Sequence, residues 1–161
     1  MRAQVVVVGG GPAGSLTALL LARAGVRVRL VARDTFPRNK LCGDTLNPGA
    51  LALLRAQGVA KGIEAVALPV HGMVVTGPGG ARVAGDYGVG VHGVALSRRV
   101  LDALLLEEAA REVGRLWQVF SEVELELAGH RAAMARAEAE RDYIEHAAEE
   151  ISHRTPSTAS R

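Results

Sequence analysis

The chain has 161 residues, of which 48% are apolar and 3% aromatic, so it is long enough for one domain with a core of Val, Leu and Ala and is not a disordered chain. Its net charge is +2, and its basic residues are scattered without interleaved aromatic residues, which argues against a nucleic-acid partner. Because Cys42 is the sole cysteine, an internal disulfide is excluded and a cytoplasmic protein is expected.

An uncharged segment, residues 3–22, lies at the start of the chain. Its length is close to that of a signal peptide or a membrane span, but a cluster of glycine and proline at residues 9–14 interrupts it. Such a cluster breaks a spanning helix and suits a turn between a strand and a helix. We therefore predict no transmembrane span.

Residues 1–31 predict a strand–helix–strand unit. Residues 5–8 are all valine, which is typical of a buried parallel strand, and residues 15–24 carry Leu and Ala at helical spacing before Gly25. Residues 26–31 alternate Val and Leu with Arg and predict the second strand. A unit of about 30 residues has the size of a right-handed crossover between parallel strands.

A loop and a short helix are predicted next. Residues 33–46 are rich in turn residues. Residues 48–57 predict a helix, because Asn47 is placed to cap its start and Gly58 suits its end.

The following segment predicts short strands and a second helix. Residues 69–93 are rich in Gly and Val and predict a meander or hairpin, with turns at residues 77–80 and 85–86. Ser97 is placed to cap a helix over residues 98–112.

The last part of the chain differs in charge and periodicity. Residues 1–114 carry 13 Lys or Arg against 8 Asp or Glu, whereas residues 115–161 carry 6 against 9. Apolar residues at alternating spacings of four and three predict a long amphipathic helix over residues 115–151, which either continues through Gly129 or is interrupted there. We predict a partial nucleotide-binding domain at 1–114, this helix, and a disordered end at 152–161.

The segment Gly9-Gly10-Gly11-Pro12-Ala13-Gly14 contains the pattern GxGxxG between the first strand and the first helix. In this context Gly9 permits the tight turn, Gly11 lets a pyrophosphate approach the backbone, and Gly14 lets the helix pack closely on the strand. The helix N-terminus presents free amide groups and a partial positive charge to phosphates. We therefore predict a dinucleotide site at this loop, with Pro12 and Ala13 included.

The adenosine end of this predicted site lacks its usual carboxylate. In such folds an acidic residue about 20 residues past the loop binds the ribose hydroxyls, and here that position is Ala32. Asp34, two residues further on, replaces it if the end of the strand bends. Arg33 instead suits a 2′-phosphate, so the residues alone leave FAD and NADP both open.

Three blocks of sequence stand in order within residues 3–114: VVVVGGGPAGSLTALLLARAG, FPRNKLCGDTLNPGALALL and VALSRRVLDALLLEEA. Together they resemble the geranylgeranyl reductase family of flavoproteins, within the wider class of aromatic hydroxylases and flavin-dependent halogenases. The resemblance implies an α/β fold, namely a partial Rossmann-type FAD-binding domain with a glycine-rich β meander, followed here by the amphipathic helix. It also implies FAD as cofactor, NADPH as a candidate electron donor, and a small-molecule substrate that is reduced at a carbon–carbon double bond or hydroxylated through reduced flavin.

The resemblance assigns residues to the cofactor both inside and outside the loop. Within the loop, the glycines would hold the FAD pyrophosphate. Outside it, Arg98 matches the start of a helix whose arginine contacts the cofactor in the family, because Asp102 follows four residues later. The remaining assigned residues lie in the segment PRNKLCGD, beside the flavin in the family, and are Lys40, Cys42, Gly43 and Asp44.

Some of these residues have a second interpretation. Cys42 is either a pocket residue near the flavin, polarised by Lys40, or a small apolar loop residue. Lys40 and Arg38 are either phosphate contacts or surface charges. His71 and His92 have no partner at ligand spacing, so we predict no metal site.

Two functional hypotheses follow. Members of the family continue with another strand, a second flavin motif and most of a substrate domain, and none of these is recognisable after Gly114. The first hypothesis is a flavin oxidoreductase, which predicts a yellow protein that holds FAD. The second is a truncated or fused nucleotide-binding fragment without independent catalysis, whose heptad helix self-associates.

Overall fold

The computed structural model describes the backbone of residues 2–154 and the side chains of residues 2–151. The chain divides into two compact units, one ending at Trp117 and the other beginning at Gln118. The helices and strands of the described residues are, in chain order, β1 Val5–Val8, α1 Pro12–Arg23, β2 Val28–Val31, β3 Thr45–Leu46, α2 Pro48–Ala56, α3 Ala60–Glu64, β4 Leu68–Val70, β5 Gly72–Thr76, β6 Arg82–Asp86, β7 Gly93–Ala95 and α4 Arg98–Arg154.

Strands β1 and β2 form a parallel pair, in register from Val5 opposite Val28, and α1 connects them. The Gly9 amide continues the ladder by donating to the carbonyl oxygen of Val31 at 2.7 Å. The predicted strand–helix–strand unit is therefore confirmed, although β2 is shorter than predicted and α1 begins earlier, at Pro12. The predicted burial of β1 is wrong, because β1 pairs only with β2 among the described strands and its Val6 and Val8 side chains are 56% and 82% exposed. Pro12 fits this place because the first helical residue needs no N–H donor.

The middle of the chain contains two antiparallel sheets. β7 lies between β3 and β4, and β5 pairs with β6 in a hairpin. The predicted turn at residues 77–80 is confirmed as the β5–β6 connection. The predicted turn at residues 85–86 is wrong, because these residues end β6. The Asp86 carboxylate accepts a hydrogen bond from the Gly88 amide at 2.8 Å, which places the turn after the strand.

Asn47 caps α2 as predicted, since its Oδ1 atom accepts a hydrogen bond from the Ala50 amide at 2.8 Å. The helix ends at Ala56, and Gly58 follows with a φ of 69°, a conformation that glycine adopts readily. The short helix α3, which the sequence did not predict, follows and buries Ile63.

The main apolar core lies where the helices of the first unit pack against each other and against β7. Its buried side chains are Leu19, Leu51, Leu54, Val59, Ala60, Ile63, Val94, Leu101, Leu105 and Ala109. Helix α4 contributes Leu101, Leu105 and Ala109, whose spacing of four residues places them on one face of the helix. Two polar side chains, Ser15 and Asp102, are also fully buried.

Helix α4 runs without a break from Arg98 to Arg154. The predicted end of a helix near Gly114 is therefore wrong, and α4 also continues through Gly129. A single glycine inside a helix costs about 1 kcal/mol, which the strong helix formers around it offset. A domain boundary after residue 114 stays a prediction. Of the predicted disordered end at 152–161, residues 152–154 belong to α4, and residues 155–161 lie outside the described residues.

Candidate functional site

The connection between β1 and α1 is a glycine loop whose shape is set by the chain itself. Gly9 has a φ of 115°, which glycine tolerates and other residues rarely adopt. The buried Ser15 hydroxyl donates a hydrogen bond to the carbonyl oxygen of Gly10 at 3.2 Å. The Ser15 amide donates to the carbonyl oxygen of Gly11 at 2.9 Å and begins the helix. Ser15 thus holds the carbonyl groups of two adjacent loop residues, Gly10 and Gly11.

Glycine serves different purposes at positions 14 and 11. A Cβ atom at Gly14 would overlap the carbonyl oxygen of Gly9, so this glycine lets α1 approach the loop closely, as the sequence predicts. A Cβ atom at Gly11 would meet two atoms of the described chain within 4 Å, the Nη2 atoms of Arg38 and Arg98, each at 3.7 Å. The space beside Gly11 is therefore bordered by two guanidinium groups.

Asp102 joins these two arginines. Its carboxylate accepts hydrogen bonds from Arg98, at 2.7 Å from Nε and 3.0 Å from Nη2, and it lies 3.3 Å from Nη2 of Arg38. The Asp102 side chain is 0% exposed, whereas each arginine side chain is 19% exposed. We call these three residues the Arg–Asp–Arg cluster. Two guanidinium groups around one carboxylate leave an excess of positive charge.

The charge of this cluster is stable. Hydrogen bonding to Asp102 raises the pKa of Arg98 above its ordinary value, although partial burial opposes the shift. Guanidinium groups stay protonated in proteins in any case. Arg38 and Arg98 therefore both carry positive charge beside the glycine loop.

The first turn of α1 and the Arg–Asp–Arg cluster together fit the pyrophosphate of a dinucleotide. Because Pro12 is the first residue of α1, the amides of Ala13 and Gly14 are the first-turn donors that no helix carbonyl accepts. They lie at the positive end of the helix dipole. The space into which a side chain at Gly11 would project is also the space that the Arg–Asp–Arg cluster borders.

A groove of about 250 Å³ extends from the loop to the residues after β2, and it is lined by the loop glycines, Ala32, Arg33, Asp34, Phe36 and Arg38. The Asp34 carboxylate forms ion pairs with Arg33 at 3.3 Å and with Arg38 at 3.5 Å. The guanidinium carbon of Arg38 lies 5.0 Å from the centre of the Phe36 ring, which supports the arginine. Arg38 therefore belongs both to this groove and to the Arg–Asp–Arg cluster.

Asp44 and Cys42 lie next to the start of α4. The Asp44 carboxylate accepts a hydrogen bond from the Arg98 amide at 3.1 Å. The Cys42 thiol is exposed rather than packed among apolar side chains. The Asp44 amide, followed by the Arg98 guanidinium, lowers the pKa of this thiol below its ordinary value. The sequence predicted Lys40 as the polarising cation, and the structure has Arg98 in that position.

Several of the predicted site residues line two grooves, one bordered by Arg38 and the other by Arg98. Arg33 lines the groove beside the glycine loop. Lys40, Asp44 and Arg98 line a second groove of about 390 Å³. Gly43 lies beside Cys42, and its amide also lowers the pKa of that thiol. The assignment of these residues to a cofactor stays a prediction.

The two histidines lie apart from these grooves. The rings of His71 and His92 are 6.0 Å apart between centres, and the His92 ring lies 3.3 Å from the Arg55 guanidinium. No group of three or more His, Cys, Asp or Glu residues suited to a metal ion occurs in the described part of the chain.

Sequence reasoning did not assign Ser15, Phe36 or Asp102 to this site. For Asp102 a signal existed, because a residue four positions after Arg98 shares its helix face. Nothing in the spacing showed that Arg38 would join the same carboxylate. No sequence pattern marks Ser15 or Phe36, since the hydrogen bond of Ser15 to Gly10 and the position of the Phe36 ring beside Gly10 depend on how the loop folds.

Comparison with known proteins decides between the two dinucleotides, FAD and NADP, that the residues alone leave open. A family model described as an FAD binding domain matches residues 2–154. The chain belongs to this FAD binding domain family. FAD is accordingly its cofactor.

Relatives of this FAD binding domain include reductases, monooxygenases and halogenases. Menaquinone reductase from Mycolicibacterium smegmatis is 47% identical over 78 residues, which cover 48% of this chain and 19% of that protein. Kynurenine 3-monooxygenase from Salinispora arenicola is 37% identical over 122 residues, which cover 70% of this chain and 27% of that protein. The solved structure of CmlS, a flavin-dependent halogenase, matches with a TM-score of 0.59 and 31% identity over 69% of this chain and 21% of that chain.

These comparisons confirm the predicted α/β FAD-binding fold and relate it to flavin-dependent monooxygenases and halogenases. The chain spans between 19% and 27% of the lengths of these three relatives. Membership of the geranylgeranyl reductase family stays a prediction. Among residues 2–154, no helix combines the length and the apolar character needed to cross a membrane.

Proposed function

We propose that the chain is the FAD-binding part of a flavin-dependent oxidoreductase of the monooxygenase type. The main support is the space beside Gly11, where the first turn of α1 meets the Arg–Asp–Arg cluster. The amides of Ala13 and Gly14 and both guanidinium groups bind the FAD pyrophosphate there. Similarity to kynurenine 3-monooxygenase over 70% of the chain supports the monooxygenase type.

The contribution of this chain is binding and orientation. Bound FAD supplies two-electron transfer between an electron donor and a substrate. Arg38 and Arg98 neutralise phosphate charge, and Ser15 keeps the glycine loop in shape. Cys42 and Asp44, next to Arg98, border the flavin half of the cofactor. By the family resemblance, NADPH is the electron donor and a small molecule is the substrate.

The absorbance spectrum of the purified protein tests FAD binding. We expect the protein to be yellow or to take up added FAD. Gly11→Leu fills the space beside the two guanidinium groups, and since Gly11 has a φ of −78° the new side chain causes no backbone strain. We expect this variant to stay folded and to lose flavin uptake.

Gly129→Leu is the matched control, because a Cβ atom there meets nothing within 4 Å among the described residues. It should bind FAD like the wild type. A wild-type protein that takes up no FAD contradicts the proposal. Equal uptake by the Gly11→Leu variant contradicts the assigned position of the pyrophosphate.

A second candidate is a reductase that acts on a carbon–carbon double bond, as the geranylgeranyl reductase resemblance implies, or on a quinone, as the similarity to menaquinone reductase suggests. Of the three relatives named above, the menaquinone reductase has the highest identity, 47%. Oxidation of NADPH by the FAD-loaded protein separates the two types. A monooxygenase requires oxygen for sustained oxidation, whereas a quinone reductase proceeds without oxygen when menaquinone is added.

The remaining alternative is an FAD-binding fragment without independent catalysis, attached to an oligomerising helix. It is supported by exposed apolar side chains at heptad positions in the described part of the second unit: Val123, Leu127, Met134, Ile144 and Ile151. FAD binding without NADPH oxidation in either assay favours this alternative. Sedimentation velocity tests the helix, since a coiled coil gives a dimer or higher species and a monomer contradicts it.

A further inference from the structure

The adenosine end of the groove supports a further assignment, which rests on the proposed FAD-binding function. In dinucleotide-binding folds, a carboxylate at the end of the second strand accepts hydrogen bonds from the ribose hydroxyls. Here that position is Ala32, whose methyl group lies 3.2 Å from where a Cβ atom of Gly10 would be. Ala32 therefore lies against the loop as expected but has no side-chain acceptor.

Asp34 brings a carboxylate to the same groove. β2 ends at Val31, and both Ala32 and Asp34 line the groove together with the glycine loop. The Asp34 side chain is 41% exposed, so a ligand can reach it. We propose that Asp34 recognises the ribose 2′-hydroxyl of the adenosine half of the cofactor, in place of the residue at position 32.

The ion pairs of Asp34 leave room for this hydrogen bond. One carboxylate oxygen is 3.3 Å from Nε of Arg33, and the other is 3.5 Å from Nε of Arg38. An ionised carboxylate has about four lone-pair sites, so each oxygen keeps the capacity to accept a hydroxyl proton.

The same ion pairs determine which ribose the site accepts. Asp34 offsets the positive charge of Arg33, the residue that would otherwise suit a 2′-phosphate. A 2′-phosphate placed here would meet the carboxylate as a like charge. The site is therefore specific for a ribose with a free 2′-hydroxyl, as in FAD, and it rejects the 2′-phosphate of NADP.

Arg38 complicates a simple affinity test, because it pairs with both Asp34 and Asp102. Removal of Asp34 changes the position of Arg38 and thereby alters phosphate binding. A pair of ligands that differ only in the 2′-hydroxyl separates the two effects. Displacement of Arg38 changes the affinity for both ligands equally, whereas loss of the ribose hydrogen bond changes their ratio.

The experiment is equilibrium binding of ADP and of 2′-deoxy-ADP to the full chain. We expect the wild type to prefer ADP by about tenfold or more, the range of a hydrogen bond to a charged group. The Asp34→Ala variant should bind ADP and 2′-deoxy-ADP with equal affinity. The double variant Ala32→Glu/Asp34→Ala should restore the preference, since the exposed position 32 accommodates a longer side chain that reaches the groove.

Asp142→Ala is the matched control, because Asp142 pairs with its neighbour Arg141 at 3.4 Å as Asp34 does with Arg33, but in the second unit. It should keep the wild-type preference for ADP. Fluorescence of the sole tryptophan, Trp117, checks that each variant is folded.

Two results would overturn the inference while FAD binding stands. One is an Asp34→Ala protein that still prefers ADP over 2′-deoxy-ADP. The other is a wild-type protein that binds adenosine 2′,5′-bisphosphate more tightly than AMP. That result would mean that Arg33 binds a 2′-phosphate at this end of the groove. A wild-type protein that binds neither ADP nor FAD contradicts the proposed function itself, and the inference fails with it.

Discussion

Arg98 and Asp102 form a two-point ion pair on one face of α4, and the same carboxylate contacts Arg38 from the loop after β2. Both guanidinium groups beside Gly11 therefore depend on a single, fully buried carboxylate. Removal of one partner from a buried ion pair is costly, because the remaining charge loses its compensation. Asp102 thus affects both the stability of the first unit and the position of its positive charge.

Asp102→Asn should lower both stability and affinity for FAD. The two arginines would face each other without a carboxylate between them, and the expected loss in the free energy of unfolding is about 3 kcal/mol. Urea unfolding followed by Trp117 fluorescence measures this loss, and FAD titration measures affinity. Glu107→Gln, which alters an exposed pair with Arg111, is the control and should change neither. Unchanged unfolding of the Asp102 variant would contradict the clamping role of this carboxylate.

Gly14→Ala should disturb the contact between α1 and the loop. A Cβ atom there overlaps the Gly9 carbonyl oxygen, so the helix must shift. Such overpacking costs about 1–3 kcal/mol, and the shift also moves the Ala13 and Gly14 amides, which bind the phosphates in the proposed FAD site. Thermal unfolding and flavin uptake measure the two effects. Gly114→Ala, inside α4 where an added Cβ meets nothing within 4 Å of the described chain, should keep or raise stability. Equal stability and equal flavin uptake of the two variants would contradict the close contact between Gly14 and the loop.

The Cys42 thiol should react with iodoacetamide at lower pH than an ordinary cysteine. The Asp44 amide and the Arg98 guanidinium lower its pKa, and the thiolate is the reactive form. Since a lower pKa leaves more thiolate at neutral pH, the midpoint of the rate–pH profile should lie below that of a free thiol. The same chain unfolded in urea is the control, because it has the thiol without these contacts. Coincident midpoints for the folded and unfolded chain would show that these contacts do not act on the thiol.

Trp117→Phe should weaken the attachment of α4 to β2. The indole N–H group donates a hydrogen bond to the Val28 carbonyl oxygen at 2.7 Å, and its loss should cost about 1 kcal/mol. Circular dichroism during thermal unfolding measures the change, since the variant has no tryptophan left. Tyr143→Phe removes a polar group from an exposed aromatic residue and should leave the unfolding temperature unchanged. If the Trp117→Phe variant unfolds at the same temperature as the wild type, this hydrogen bond adds no net stability.

Local patterns predicted much of the first unit. The valine run, the glycine loop and the Asn47 cap each act within a few residues, and the structure has all three. The predicted turn at residues 85–86 failed because the side chain of Asp86 moves the turn to Gly88. The predicted end of a helix near Gly114 failed because the helical residues on both sides outweigh one glycine.

The sequence by itself determined the strand–loop–helix start of the chain, and it predicted a dinucleotide at Gly11, because loop shape and helix polarity arise from neighbouring residues. Only the tertiary structure decided which charges face that loop. Arg38 and Arg98 lie far apart in the chain, and the buried carboxylate of Asp102 brings them together. The structure also places Asp34 in the same groove as Ala32. Spacing in the sequence alone did not show whether Asp34 lies close enough to the loop to replace the missing carboxylate at position 32. Contacts of this kind depend on burial and on the path of the chain, which no local spacing encodes.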